Sequence, residues 1–203
     1  MKKIILASKS PRRHEILNIA GLEHEIIVSD ADETVPDGTA PAEAVKLISE
    51  RKAEAVLKYI TEENPSADNC ADGFVIIAAD TVVDVDGIIF GKPKDIEDAE
   101  RMIRALSGRK HYVHTGITLT DGKKSVSETV TTAVCMRDIT EKEIKAYAAC
   151  GEALDKAGAY AVQGKAGAFV SSLEGDYFNV VGLPLCRTCE RLADFGIKLF
   201  ENE

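Results

Sequence analysis

The sequence contains no tryptophan, few aromatic residues and no long apolar run. Aromatic side chains make up 5% of its 203 residues. The apolar runs are short, as at residues 74–79 and 88–90, whereas a membrane helix needs about 20 such residues. The run near the start, residues 4–7, is also shorter than the apolar stretch of about 7–15 residues in an export signal. We therefore expect a cytoplasmic protein without a membrane-spanning segment.

Cysteine is also too scarce and too irregularly spaced to form a disulfide framework. The chain has five cysteines, an odd number, which fits a reducing compartment. Cys186 and Cys189 have the spacing of half a zinc site or of a redox pair. No second Cys/His pair lies nearby, and both residues fall in a predicted helix. We therefore favour plain, partly buried thiols over those two alternatives.

Positive charge is in deficit overall, with 25 Lys and Arg against 34 Asp and Glu, a net charge of −9. An acidic chain argues against a broad nucleic-acid surface, because its net negative charge repels any polyanionic partner. The cations are unevenly placed, however, and five of them lie within the first 13 residues. With 45% apolar and 29% charged residues, the composition is that of an ordinary globular chain of one domain or two small lobes.

Apolar periodicity, turn residues and helix caps predict a mixed α/β fold with a sheet flanked by helices. Helices are predicted from Ser10-Pro11 to Gly21, from Pro41 to about residue 60, and over 95–107, 140–150 and 184–195. Strands are predicted over 3–7, 24–28, 74–85, 88–90, 111–120 and 124–137, with short ones at 159–163, 167–172 and 177–181. Residues 61–73 are polar and are predicted to form an exposed loop. Thr140 and Glu143 have the spacing of a capping box.

The segment from Ser8 to Arg13 lies between a strand and a helix N-terminus. Free backbone N–H groups and the helix dipole attract anions there, and adjacent Arg12 and Arg13 could bind a phosphate through two contacts each. A solvated basic turn is the alternative. The Gly-x4-Gly-Lys pattern of a Walker loop is absent.

Two charged residues interrupt apolar patterns. Lys52 lies in the apolar stripe of its predicted helix, so its ammonium group either snorkels to the surface or points into a pocket. Asp80 interrupts a buried strand, where a carboxylate must be desolvated, paired or bound to a metal. A structural ion pair at Asp80 is the alternative to a catalytic role. His111 and His114 have no metal-ligand spacing and are interpreted as strand residues.

Together these segments resemble the Maf family, also called septum formation inhibitor proteins. The resemblance covers nearly the whole chain in order. It rests on Leu6-Ala-Ser-Lys-Ser-Pro-Arg-Arg-His-Glu-Ile-Leu17, Ala79-Asp-Thr-Val-Val83, Gly91-Lys-Pro93, Leu106-Ser-Gly108, Leu154-Asp-Lys-Ala-Gly-Ala-Tyr160, Gln163-Gly164 and Val181-Gly-Leu-Pro-Leu185.

The resemblance implies a nucleoside triphosphate pyrophosphatase that releases a monophosphate and pyrophosphate with the help of Mg²⁺ or Mn²⁺. It implies one domain, residues 1–203, with an elongated mixed sheet and two α/β lobes around a central cleft, as in inosine triphosphate pyrophosphatases. It also implies a cytoplasmic homodimer whose partner is a small nucleotide rather than a nucleic acid or a membrane.

The resemblance also assigns residues to roles. It makes Asp80 the general base, or the ligand of a metal that activates water, and Glu33 a second acid. Arg12, Thr81 and Gln163 match the positions that separate substrate branches, and they resemble the branch acting on dTTP and UTP. The Gln163 amide can complement the O4 and N3–H edge of uracil or thymine. Predicted triphosphate contacts are Ser8, Arg13, Lys52, Lys92 and Lys156.

Two other functions remain open at this stage. One is a nucleotide-binding regulator of septum formation that does little chemistry. The other is a pyrophosphatase for 7-methyl-GTP.

Overall fold

The computed structural model describes residues 2–28, 30–63 and 73–200. Its strands are β1 Lys3–Ala7, β2 His24–Ile26, β3 Phe74–Val85, β4 Ile88–Phe90, β5 Lys110–Thr120, β6 Ser125–Met136 and β7 Val170–Glu174. Its helices are α1 Pro11–Ile19, α2 Pro41–Lys58, α3 Ile96–Leu106, α4 Glu141–Ala149, α5 Tyr177–Val181 and α6 Leu185–Ala193. The mixed α/β class predicted from the sequence is confirmed.

One seven-stranded sheet organises these elements, in the order β2-β1-β3-β5-β6-β7, with β4 paired to β3. β1 runs parallel to β2 and β3, whereas the other pairings are antiparallel. The long strand β3 lies centrally, and its apolar half, residues 74–79, is buried because helices cover both faces there.

The side chains of β3 alternate between two apolar layers. On one face Phe74, Ile76 and Ala78 pack with the α2 residues Ala53 and Val56. The opposite face carries two separate clusters along the strand. The first includes Val75, Ile77 and Ala79 with residues of α1 and α6, and the second includes Val83 and Val85 with residues of α3 and α4. Thr81 lies on β3 between these two clusters.

Most long elements and caps follow the sequence predictions. β3, the 86–87 turn and α2 match closely, and Thr140 and Glu143 do form the capping box of α4. His111 and His114 both lie on β5, which confirms their interpretation as strand residues. Cys186 and Cys189 lie on α6, where Cys186 is exposed and Cys189 is half-buried. Burial raises the pKa of the Cys189 thiol.

Of the three short strands predicted between residues 159 and 181, those at 159–163 and 177–181 are wrong, whereas the one at 167–172 overlaps β7, which begins three residues later at Val170. Residues Ala157–Ala159 and Lys165–Phe169 form 3-10 turns, and 177–181 is the helix α5. The Asp176 carboxylate accepts hydrogen bonds from the backbone N–H groups of Phe178 and Asn179, which starts a helix there. A short apolar run does not by itself distinguish a strand from a helix.

The predicted loop at 61–73 can be compared with the structure only at residues 61–63 and 73. Its first residues belong to a π-helical turn, Tyr59–Glu63, that continues α2. Residues 64–72 lie outside the described part of the chain. The predicted strand at 24–28 is shorter than expected, because β2 ends at Ile26.

Candidate active site

A cleft of about 730 Å³ opens where β1 ends, α1 begins and β3 passes Thr81. The loop segments near Gly91 and between Asp155 and Gln163 complete its walls. All ten side chains predicted to form the site line this cleft: Ser8, Arg12, Arg13, Glu33, Lys52, Asp80, Thr81, Lys92, Lys156 and Gln163. The fold therefore brings together residues that are spread over more than 150 positions of sequence.

The cleft is electropositive although the chain is acidic. Six cations line it, Lys9, Arg12, Arg13, Lys52, Lys92 and Lys156, against the three carboxylates Glu33, Asp80 and Asp155. The resulting excess of three positive charges contrasts with the net charge of −9 for the whole chain. A concave site of this kind concentrates anions.

Lys52 and Asp80 form the most buried ion pair of the cleft. α2 packs on the face of β3 that carries Asp80, and Lys52 Nζ donates to Asp80 Oδ1 over 2.7 Å. The Lys52 and Asp80 side chains are only 11% and 16% exposed. Lys52 thus points into a pocket rather than snorkelling, and Asp80 is paired.

Glu33 approaches the same ammonium group from the cleft mouth. Its Oε1 lies 2.8 Å from Lys52 Nζ, while its side chain remains mostly exposed. The hydrogen bond from Lys52 lowers the pKa of Glu33, although partial burial opposes this. Two carboxylates therefore converge on one cation. Asp80 Oδ2 has no hydrogen-bond partner within residues 2–28, 30–63 and 73–200.

This donor set suits a divalent cation only if further oxygens join it. No group of three or more His, Cys, Asp and Glu side chains in the described structure could hold a metal ion alone. Mg²⁺ is commonly bound by one or two carboxylates together with phosphate oxygens. Asp80 and Glu33 fit that pattern if a phosphate chain enters the cleft.

Arg13 builds the wall of the cleft. It is 9% exposed, and its Nε donates to the carbonyl oxygen of Gly182 over 2.8 Å. Its two Nη atoms donate to Ser8 Oγ and Thr81 Oγ1, each over 3.1 Å. Burial lowers the pKa of Arg13 below its usual range. Three of its five N–H groups thus hold protein atoms in place, a role that the sequence did not reveal.

Thr81 is fixed from several sides. Its hydroxyl also lies 3.0 Å from Thr115 Oγ1, its register partner on β5. Thr115 Oγ1 in turn donates to the carbonyl oxygen of Asn179 over 3.0 Å. This buried polar seam runs between the two apolar clusters on that face of the sheet.

Arg12 and Lys156 meet at a carboxylate that sequence reasoning missed. Asp155 Oδ2 lies 4.0 Å from Arg12 Nη1, and Asp155 also pairs with the ammonium group of Lys156. The hydrogen bond from Lys156 lowers the pKa of Asp155. Asp155 stands next to Lys156 in the sequence, but only the fold shows that Arg12 approaches it.

Tyr160 also lines the cleft, although the sequence placed it only in a family motif and gave it no role of its own. Its hydroxyl lies 2.8 Å from Nε2 of His111, a residue behind the cleft that is 1% exposed. Burial lowers the pKa of His111 to about 4, so the imidazole is neutral near pH 7. Lys92 and Gln163 are more exposed than these residues, and both face the cleft from loops.

No helix in the described ranges is long and apolar enough to cross a membrane.

A family model and curated relatives match almost the full length of this chain. The profile of the family described as Maf-like protein matches residues 3–195. A dTTP/UTP pyrophosphatase of Pelotomaculum thermopropionicum is 44% identical over 198 residues, which are 97% of this chain and 98% of that protein. A dTTP/UTP pyrophosphatase of a Geobacillus species is 45% identical over 196 residues, with 97% and 100% covered. The solved structure of the Staphylococcus aureus Ham1 protein overlaps 68% of this chain and 73% of that one, at a TM-score of 0.44 and 16% identity.

Proposed function

The chain belongs to the Maf family, and from this premise we propose that it hydrolyses dTTP and UTP to the monophosphate and pyrophosphate. The observation that carries the proposal is the Lys52–Asp80 pair in an electropositive cleft, with Glu33 on the same ammonium group. The two relatives compared above, each named a dTTP/UTP pyrophosphatase, support the choice of nucleotide.

In the proposed reaction a water oxygen attacks the α-phosphorus. The bond from that phosphorus to the oxygen leading to the β-phosphate breaks, and pyrophosphate leaves with the bond electrons. Asp80 Oδ2 is free of hydrogen bonds from the described residues and can accept the water proton, while Lys52 holds Oδ1. Alternatively, Asp80 acts as a metal ligand.

A divalent cation fits the two carboxylates Asp80 and Glu33. When bound, it would neutralise phosphate charge and lower the pKa of the attacking water. The chain itself supplies Lys92 and Lys156 toward the phosphates, and Lys52 keeps both carboxylates oriented. Electrostatic stabilisation of this kind dominates phosphoryl transfer.

We propose that Gln163, together with Arg12 and Thr81, selects the nucleobase of the substrate. Gln163 lines the cleft, and its amide offers both a donor and an acceptor, as the edge of uracil or thymine requires. Arg13 and Thr115 hold the Thr81 hydroxyl at a fixed position.

The test is pyrophosphate release from dTTP, UTP, CTP and 7-methyl-GTP with Mg²⁺ or Mn²⁺. We expect turnover of dTTP and UTP, and a loss of about 100-fold or more in Asp80→Asn, because the variant can neither accept the proton nor bind a cation well. Asp84→Asn is the matched control, since Asp84 lies on the same face of β3 outside the cleft and pairs with His114. Near-normal turnover in Asp80→Asn would refute the mechanism.

The same panel separates the alternatives. Binding without release of pyrophosphate from any nucleotide would favour a regulator of septum formation, and a preference for 7-methyl-GTP would exclude the pyrimidine assignment. The homodimer and the cytoplasmic location stay predictions, to be checked by size-exclusion chromatography and by cell fractionation.

A further inference from the structure

We propose that Glu152 is a positioning residue that sets base selectivity by anchoring the turn on which Gln163 stands. This inference rests on the proposed function. Glu152 does not line the cleft, and it lies in the turn that follows α4. It therefore touches neither the nucleotide nor the reacting atoms, and it acts through the backbone next to Gln163.

Gln163 has no side-chain hydrogen bond of its own within the described residues. Its place is set by a tight turn in which the N–H of Gly164 donates to the carbonyl oxygen of Ala161 over 3.0 Å. A second bond, from the N–H of Gly167 to the carbonyl oxygen of Gly164, is also 3.0 Å long. The direction of the Gln163 amide thus depends on where this turn is held.

The Glu152 carboxylate holds the turn at its far end. Its Oε2 accepts a hydrogen bond of 3.1 Å from the backbone N–H of Lys165. The same carboxylate lies flat against Gly164, where an added Cβ would fall 2.2 Å from Oε1. A larger residue at position 164 would therefore force the Glu152 carboxylate to move.

The core fixes Glu152 in turn. Its Oε1 accepts a 3.1 Å hydrogen bond from the hydroxyl of Tyr147, a residue of α4 that is 4% exposed and packs edge-on against Phe169. The pKa of the Tyr147 hydroxyl is raised mainly by burial and secondly by the Glu152 carboxylate. The backbone of Ala161 also contacts this hydroxyl and opposes that increase. The hydrogen bonds of Glu152 thus link Tyr147 in the α4 core to the backbone at the far end of the Gln163 turn.

The carboxylate has no ion-pair partner within the described ranges. Its two oxygens serve one hydroxyl and one backbone N–H, a pairing that orients a loop rather than balancing a charge. An amide can make the same two contacts, because the Tyr147 hydroxyl can accept as well as donate. Glu152→Gln should therefore behave like the unaltered protein, whereas Glu152→Ala and the shorter Glu152→Asp should not.

The experiment compares dTTP with CTP by calorimetric affinity and by kcat/KM for pyrophosphate release. We expect Glu152→Ala and Glu152→Asp to lower the preference for dTTP about tenfold, through KM more than kcat, as a small misplacement of a contact does. Glu152→Gln should retain the preference within about twofold. Glu174→Ala, which removes an exposed carboxylate paired with Lys110, is the control for loss of charge.

A double-mutant cycle with Gln163→Ala gives the decisive readout. If Glu152 acts through Gln163, Glu152→Ala should cause no further loss of preference in the Gln163→Ala background. Additive losses, or an equal fall for dTTP and CTP, would overturn the inference. Should Glu152→Ala fail to fold, Glu152→Asp and Glu152→Gln carry the same comparison. Failure of the proposed function would instead appear as absent pyrophosphate release by the unaltered protein, and the affinities would still test Glu152.

Discussion

At the scale of residues, charged side chains that lie at positions unfavourable for a charge meet in the cleft. Lys52 interrupts the apolar stripe of α2, Asp80 interrupts a buried strand, and Arg13 places a cation in the first turn of α1. Each conflict is resolved by a partner from a distant segment: Asp80 for Lys52, and Gly182 and Thr81 for Arg13. Such exceptions are expected at functional sites.

Arg13→Lys should damage the protein more than Arg12→Lys. A lysine cannot reproduce the planar fork that reaches Ser8, Thr81 and Gly182 together, so we expect a loss of about 2–3 kcal/mol in the free energy of unfolding. Pyrophosphate release should fall as well, because Ser8 and Thr81 lose their common anchor. Urea denaturation and the pyrophosphate assay measure the two effects.

Arg12 supplies the matched comparison, since its ion pair with Asp155 is long, at 4.0 Å, and its side chain is 32% exposed. Its conversion to lysine should change stability by less than about 1 kcal/mol. If Arg12→Lys were the more destabilising change, the structural role assigned to Arg13 would be wrong.

At the scale of elements, the contact between α2 and β5 places Lys52 over β3. Gly116 of β5, the register partner of Asp80, lies directly under α2. A Cβ added there would fall 2.3 Å from the Val45 carbonyl oxygen and 2.6 Å from the Lys46 nitrogen. Backbone atoms cannot rotate away as a side chain does, so the helix approaches the sheet this closely only over a glycine.

Gly116→Ala should therefore displace α2 and separate Lys52 from Asp80. We expect a loss of about 1–3 kcal/mol in stability, as overpacking causes, and a marked fall in pyrophosphate release. Ser125→Ala, at an exposed position of β6, should stay within about 0.5 kcal/mol of the unaltered protein. Thermal unfolding with the activity assay tests this, and an active, fully stable Gly116→Ala would contradict it.

Elements were predictable where the chain is long and strongly patterned. The 12 residues of β3 and the 18 residues of α2 follow clear apolar patterns, and the Thr140 capping box marks the start of α4. Between residues 157 and 181 the segments are short, and their form depends on single side chains such as the Asp176 cap. Local periodicity is too weak there to decide between strand and helix.

At the scale of the whole molecule, positive charge is concentrated in the cleft, and apolar side chains are gathered into clusters beside it. The six cations of the cleft lie in a chain of net charge −9, so the overall acidity does not prevent binding of a small polyanion. The two apolar clusters that share one face of the sheet flank the cleft, and the polar seam of Thr81, Thr115 and Asn179 lies between them.

Stability should fall as the pH drops from about 6.5 toward 4, because His111 is buried in its neutral form. Its pKa is about 4 in the folded protein and 6.5 in the unfolded chain. The unfolded state therefore binds more protons in that window, and unfolding becomes easier as the pH falls. The contribution of this group is about 3 kcal/mol between pH 7 and pH 4.

Urea denaturation at pH 7, 5.5 and 4 measures this dependence. His111→Gln keeps a hydrogen-bonding partner for Tyr160 but cannot titrate, so its stability should fall less over the same range. Identical pH dependence in both proteins would show that His111 does not contribute.

The sequence by itself determined the family resemblance, the long strands and helices, and the residue types that a triphosphate site needs. It could do so because motifs and periodicity are local properties of the chain. Only the tertiary structure decided that Lys52 reaches both Asp80 and Glu33, that Arg13 supports Ser8 and Thr81, and that Glu152 contacts the Gln163 turn. These contacts depend on the register of β3 with β5 and on how closely α2 and α4 pack, which involve residues far apart in sequence.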